Sequence, residues 1–572
     1  MIMSQVLQLK KLKVLNFRSI KNQEFHFQDF AVLIGKNNCG KSNVLDAVAV
    51  LLEGTAKSVE DADYWDKSQN IQIDGEFHNA KNFLALCSEK NKAKVEGMIS
   101  ADGVLRLRRK YGASVERSGA LLSYDEKGED KPLATGIDAE MKRFLPEVVA
   151  IKPLADVSDE ATGKTTGTLG KLLGQILDSL RDKAQPELDK AFESAKKLLN
   201  VVGGKDERVQ ELRDVEADIT NLLQETFTET TIRLNVELPD VKRLLADVAV
   251  EVDDGCVTPY FRKGHGLQRS LYLSLLRALA KRVRTAQTAV HRPIIILFEE
   301  PELFLHPSAQ EQMREALAQS SKHNQVLIAT HSPSMVSVQN FGQLVLIQKN
   351  REQIEKGQNR LMTVTISKDS STAPSQDEKE LLQILNLHRA SRVFFFRRVL
   401  LVEGASDVHL VNAISNSLGL GNLEAKDCTV VEIGGKEKLL TFQELLGKLG
   451  VVACVLADDD FLWRGASAVF KNDPEYSQFC EAVSKFGEES KLRRDGLTKD
   501  TNAQKQAESL VQKLANRKIF ILSKGEIEHY VGLSEKSKGK YLLAAKEISN
   551  GTRPINEPKE LKSILDKFIT SA

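Results

Sequence analysis

The chain has 572 residues, 28% of them charged and 41% hydrophobic, with a formal net charge of +1. That length is too great for one core and calls for roughly two to four domains, while the near-neutral charge gives no global attraction to nucleic acid, so any DNA contact has to come from local basic patches. No apolar run approaches the roughly 20 residues of a membrane span and Met1 to Leu15 lacks a signal-peptide core, so no membrane partner and a cytoplasmic location are expected. The six cysteines are scattered without a Cys-x-x-Cys pair, which argues against a zinc site or a disulfide framework.

In chain order, the first informative element is the apolar run Phe30 to Ile34, which predicts a buried strand. It leads into Gly35-Lys36-Asn37-Asn38-Cys39-Gly40-Lys41-Ser42-Asn43 and an apolar helix through Leu52. Gly-x-x-x-x-Gly-Lys-Ser between a strand and a helix is a phosphate-binding loop: Gly35, Asn38, Gly40 and Asn43 belong to the ATP cradle, Lys41 reaches the outer phosphates, and Ser42 ligates Mg²⁺. Ile71 to Phe77 and Val104 to Tyr111 alternate as strands of a β-rich lobe.

Three helical stripes follow, over Leu169 to Leu180, Leu188 to Leu199 and Val209 to Leu223. Their one-sided apolar faces need cover, either as a helical dimerisation insert, the favoured reading, or as a self-contained lid. A strand, Pro293 to Phe298, then delivers Glu299-Glu300-Pro301-Glu302, with Glu299 expected beside Mg²⁺ and Glu300 polarising a water. A third strand, Val326 to Thr330, delivers His331, a sensor for the terminal phosphate.

These three strands resemble the ATP-binding-cassette ATPases of the SMC, RecF and Rad50 branch, as does the opening Leu12 to Ile20. That resemblance implies a signature sequence capping the nucleotide from an opposite protomer. The matching place reads Gly264-His265-Gly266-Leu267-Gln268-Arg269-Ser270 and departs from the usual Leu-Ser-Gly-Gly-Gln. Gln268 and Arg269 are either phosphate contacts or the flexible opening of a helix.

Beyond a polar linker, Ser367 to Glu378, and a helix over Leu381 to Leu387, a second α/β alternation begins. The strand run Val393 to Val402 ends in Glu403-Gly404, and Val455 to Ala457 ends in Asp458-Asp459-Asp460, with a helix, the strand Cys428 to Ile433 and the helix Leu439 to Leu446 between them. Carboxylates gathered at one sheet edge repel one another unless cations sit among them, and hard oxygen ligands suit Mg²⁺ or Mn²⁺. Asp407, one helical turn past Glu403, is placed for a second metal, and the strand Ile519 to Leu522 leads to Glu526 and Glu528, candidates for further ligands.

The glutamate and Asp-x-Asp resemble the Toprim domain of topoisomerases, primases and a group of nucleases. The whole arrangement resembles the overcoming-lysogenization-defect (OLD) nucleases, with which Glu299-Glu300-Pro301-Glu302-Leu303-Phe304-Leu305-His306-Pro307 agrees. The fold class expected is therefore α/β: an ATP-binding-cassette ATPase in two parts, 1–155 and 231–375, interrupted by the helical insert 156–230 and followed by a Toprim domain, 388–572. The resemblance implies Mg²⁺- or Mn²⁺-dependent DNA cleavage, ATP regulation, homodimers or higher assemblies, a role in bacterial anti-phage defence, and a helicase or a retron reverse transcriptase with its DNA as further partners. It also implies that Glu403, Asp407, Asp458, Asp460 and either Glu526 or, preferentially, Glu528 hold metal, and that a downstream lysine, Lys559 or alternatively Lys562, offsets charge on the phosphate.

Two other readings compete with a nuclease. One is an SMC/RecF-like DNA clamp or sensor whose Toprim domain only docks; the other is a strand-passing topoisomerase, for which Tyr530 or Tyr541 would have to be the nucleophile.

Overall fold

The structure is a computed structural model that describes residues 6–134, 136–153, 193–201, 206–224, 230–235, 250–285, 292–336, 343–355, 358–365, 395–448, 451–533 and 538–571, with the single positions 187, 190 and 393. The first insert helix, positions 188, 189, 191 and 192 of the second, the linker Ser367 to Glu378 and the helix Leu381 to Leu387 lie outside the described residues.

The amino-terminal half is built from β1 (Gln8–Phe17), β2 (Ile20–His26), β3 (Phe30–Ile34), α1 (Lys41–Glu53), β4 (Ile71–His78), β5 (Leu105–Tyr111), β6 (Leu121–Tyr124), β7 (Asp130–Pro132) and β8 (Glu147–Ile151). After the insert come β9 (Ile294–Glu299), β10 (Gln325–Thr330), β11 (Leu344–Glu355) and β12 (Gln358–Thr365). One sheet, in the order β2-β1-β4-β5-β6-β7, is antiparallel throughout. In β5 Leu105, Leu107, Arg109 and Tyr111 face the core, and Arg108 is buried on the opposite face by its pair with Asp74. The second sheet runs β12-β11-β3-β10-β9-β8, parallel except for the outer β11–β12 pair. Its central strands are continuous apolar runs because both faces are covered; every residue of β3 and of β10 is buried.

The second half forms a parallel four-stranded sheet from β13 (Arg398–Val402), β14 (Cys428–Glu432), β15 (Val452–Ala457) and β16 (Ile519–Ile521), in the order β14-β13-β15-β16. The helix Ala405–Ser417 follows β13, and Leu439–Lys448 crosses from β14 to β15. The run expected from Val393 becomes a strand only at Arg398, where pairing with Cys428 and Val452 begins. A single cluster of buried side chains takes in Phe30 and Val326 of the first half and Val399 and Val455 of the second. Among the described residues no helix is long and apolar enough to cross a membrane.

Within the insert, the helix Gln210–Gln224 leaves Val215, Ile219 and Leu222 exposed.

Candidate functional site

The register of the larger mixed sheet gathers one set of groups. Thr330 pairs with Ile34 and Glu299 with Ala329, so the carboxyl ends of β3, β10 and β9 lie side by side. The loop after β3 turns through left-handed backbone at Asn38 (φ 60°) and Gly40 (φ 106°) before α1 begins. A side chain at Gly35 would meet the Ile347 carbonyl oxygen at 2.1 Å, which explains glycine there.

Lys41 is buried and donates to the carbonyls of Gly35 and Lys36, each at 2.9 Å. Ser42 Oγ donates to Glu299 Oε2 at 2.8 Å, bringing the two expected Mg²⁺ ligands together across 257 residues of chain. Glu300, at a left-handed φ of 46°, accepts the His331 backbone N–H and lies 2.6 Å from His331 Nδ1. Glu302, which carried no role in the sequence reading, is buried behind this pair and accepts the Thr330 hydroxyl at 2.6 Å. Burial, then the neighbouring Glu300 carboxylate, pushes its pKa up to about 8. Glu300, Glu302 and His331 are the one set of three potential ligands, among the described residues, whose ligand atoms lie within 4.8 Å of one another.

Three expected nucleotide contacts have other partners. The Asn43 amide donates to Ser19 Oγ at 2.7 Å, Gln268 donates to the carbonyls of Phe261 and Lys263, and Arg269 is buried, donating to the carbonyls of Lys152 and Pro153 with its guanidinium over the Phe298 ring. Within this protomer Gln268 braces the turn before its own helix, and Arg269 ties that helix to the residues after β8 and to Phe298 of β9.

The parallel sheet gathers the second set. Val402 pairs with Glu432, Leu401 with Val455 and Ala457 with Ile521, so Glu403, Asp458 to Asp460 and the loop leading to Glu526 follow adjacent strand ends. The group holding this edge together is Lys436, which the sequence reading missed although Gly434-Gly435-Lys436 directly follows a strand. Its Nζ lies 2.6 and 2.7 Å from the two oxygens of Asp460 and 3.5 Å from Glu403 Oε2. Burial works against this ammonium, but Asp460 first, then Glu403 and Asp458, outweigh it and raise its pKa.

Asp407 Oδ2 accepts the Gly404 N–H at 2.9 Å, capping the helix after Glu403. Asp459, passed over by the Asp-x-Asp pattern, is paired through both oxygens with Arg494. Arg494 also feels the charge of Glu526. Glu528 is buried, and neither of its oxygens has a hydrogen-bond partner among the described residues. The unmet buried oxygens of Glu528 and the carboxylates gathered round Lys436, with Arg464 3.7 Å from Asp460 Oδ2, are the hard oxygen ligands that fit divalent cations.

Lys559 and Lys562 are exposed on the helix Pro558–Thr570. Their neighbour Glu560 accepts the Ser523 N–H and hydroxyl and the Tyr530 hydroxyl, tying this helix to the loop before Glu526. Tyr530 is fully buried and its pKa is raised, chiefly by burial, and Tyr541 stacks on His409. An enclosed phenol committed to Glu560 is no strand-passing nucleophile.

Two families match the chain. The AAA ATPase domain matches residues 8–111 and 149–336, and the overcoming lysogenization defect protein-like TOPRIM domain matches residues 394–460. Old nuclease of Escherichia phage P2 is 25% identical over 558 residues, covering 92% of this chain and 93% of the relative. OLD nuclease of Thermus scotoductus is 21% identical, covering 79% of this chain and 82% of the relative. Endonuclease GajA of Bacillus cereus is 22% identical, covering 92% and 87%. Among solved structures, an SmcHead bound to the C-winged helix domain of ScpA aligns with 14% identity and a TM-score of 0.35, over 64% of this chain and 99% of that one.

Proposed function

Because the chain belongs to the overcoming-lysogenization-defect family, joining an AAA ATPase domain to an OLD-like Toprim domain, we propose that it is an ATP-regulated, divalent-metal-dependent DNA endonuclease of bacterial anti-phage defence. The observation that carries this reading is the strand order β14-β13-β15-β16, with Glu403, Asp458, Asp460 and Glu526 following the ends of adjacent parallel strands.

In this reading Glu403, Asp458 and Asp460, with Asp407 and either Glu526 or Glu528, hold Mg²⁺ or Mn²⁺. When bound, such ions would supply Lewis-acid charge to the scissile phosphate and lower the pKa of a water so that, losing its proton, it becomes the nucleophile. The protein's part is orientation: Gly404 N–H fixes Asp407, and Arg494 fixes Asp459, so the strand-end turns are held against their mutual repulsion. Lys559 and Lys562 stand in this proposal as the lysines that offset phosphate charge. In the ATPase, Lys41 leaves the Gly35 and Lys36 carbonyls for the phosphates, and Glu300 takes the proton of the attacking water while His331 steadies its Oε2.

The exposed Val215, Ile219 and Leu222 support a second copy of the chain as partner of the insert. DNA is the proposed substrate, the cytoplasm the proposed location, and a helicase or a reverse transcriptase with its DNA the further partner to seek by co-purification.

Supercoiled plasmid incubated with Mg²⁺ or Mn²⁺, with and without ATP, beside a Glu403→Ala control, is expected to yield nicked or linear forms with the native chain alone. ATP turnover stimulated by DNA, without scission under any condition, overturns the nuclease in favour of a clamp.

A further inference from the structure

The helix and strand faces of the Toprim domain explain why acids lie at its edge, but not why a lysine lies among them. Lys436 reaches that position by construction. Beyond β14 the ladder continues, with Ile433 N–H donating to the Val402 carbonyl and Gly434 N–H to the Glu403 carbonyl, each at 3.0 Å. Gly434 (φ 76°) and Gly435 (φ 155°) then turn the backbone in a way other residues resist. The loop carrying Lys436 is thus tied to the backbone of Glu403 itself, and its ammonium reaches both oxygens of Asp460, which lies 24 residues further on.

We propose that Lys436 is a tethered counter-cation of the carboxylate edge: it holds the oxygens of Asp460 and Glu403 that a divalent cation would use, so metal loading is a displacement of this ammonium. The inference rests on the nuclease reading for its purpose, but not for its test. Lys436, with Arg464 Nη1 3.7 Å from Asp460 Oδ2, sets two positive charges against the carboxylates of Glu403, Asp458 and Asp460, so the edge stays negative and metal binding stays favourable. A divalent ion on the same oxygens repels the ammonium at close range, so both cannot stay in place. The lysine stem is flexible enough to swing aside without moving the backbone. Metal therefore binds more weakly than the acids alone would allow, and the acids are kept together before it arrives.

The test is a Mn²⁺ titration of the full chain without DNA or nucleotide, following free Mn²⁺ by electron paramagnetic resonance. Ions bound by the native chain and lost in Glu403→Ala belong to this edge. Lys436→Gln is expected to bind them about tenfold more tightly than the native chain, with Lys436→Arg close to native because it keeps the charge. Far-UV circular dichroism and thermal melting establish that both variants fold; should Lys436→Gln unfold, Lys436→Met takes its place. Equal or weaker Mn²⁺ binding in a folded, uncharged variant overturns the inference. A native chain that binds Mn²⁺ but never cuts plasmid overturns the nuclease reading and leaves this one standing.

Discussion

The Lys36 ammonium in the phosphate-binding loop lies 2.6 Å from Oδ1 of Asp427 in the Toprim domain. Lys36 gives its carbonyl to Lys41, the residue that must move to meet phosphate. Asp427, held at a left-handed φ of 66°, accepts the Arg397 N–H on its side chain and the Arg398 N–H on its carbonyl. It therefore pins the start of β13, whose other end delivers Glu403. Both charged groups are partly exposed, so the pair is worth no more than about 1 kcal/mol and is weak enough to be remade when nucleotide binds.

Asp427→Ala is accordingly expected to leave ATP turnover within about twofold of native while reducing the response of plasmid cutting to ATP. The double variant Lys36→Asp with Asp427→Lys should restore part of that response. A double-mutant cycle on the ratio of cutting with and without ATP measures the coupling.

Glu403→Ala and Asp458→Ala are each expected to abolish cutting with nucleotide affinity unchanged. Fluorescent ATP-analogue binding beside plasmid assays checks this, and cutting that survives both substitutions sinks the nuclease.

Glu300→Gln keeps the shape of its side chain but cannot take a proton. ATP hydrolysis should fall by about 10²- to 10⁴-fold with ATP still bound. Lys41→Ala should instead lose the nucleotide. Equilibrium binding and steady-state phosphate release separate the two.

The buried Glu302 carries a pH signature. Its folded pKa, about 8, lies above the ordinary glutamate value of 4.5, so the native state binds more protons than the unfolded state between those limits. The stability it contributes is complete below pH 4.5 and falls as pH rises toward about 8. Glu302→Gln, uncharged throughout, should flatten that part of the curve in urea unfolding followed from pH 5 to 8.5.

Asp74 and Arg108 form a buried two-point pair on β4 and β5, at 2.7 and 2.8 Å. Asp74→Ala leaves the guanidinium with Asp130 and the Gly128 carbonyl and should destabilise the chain by about 1–3 kcal/mol. Thermal melting of the variant against the native chain measures this.

Much of the fold was legible because buried parallel strands are written as unbroken apolar runs, and those runs end at functional residues. Phe30 to Ile34, Val326 to Thr330 and the run before Asp458 each announced a strand and the group at its carboxyl end. The pairing of Ser42 with Glu299 was implied by motif, because a strand-loop-helix beside an acidic strand has one sheet edge to share.

What tertiary structure alone decided are the partners that loops bring from elsewhere. Lys436 meets Asp460 across 24 residues and Arg494 meets Asp459 across 35, and neither distance leaves a periodic trace. Arg269 meets the Lys152 carbonyl across 117 residues and lies over the Phe298 ring, contacts that no local pattern announces. Hydrophobic burial fixes which strands neighbour one another, and that order is encoded locally. The charge balance at their ends depends on which loops arrive there, and so only the folded chain determines it.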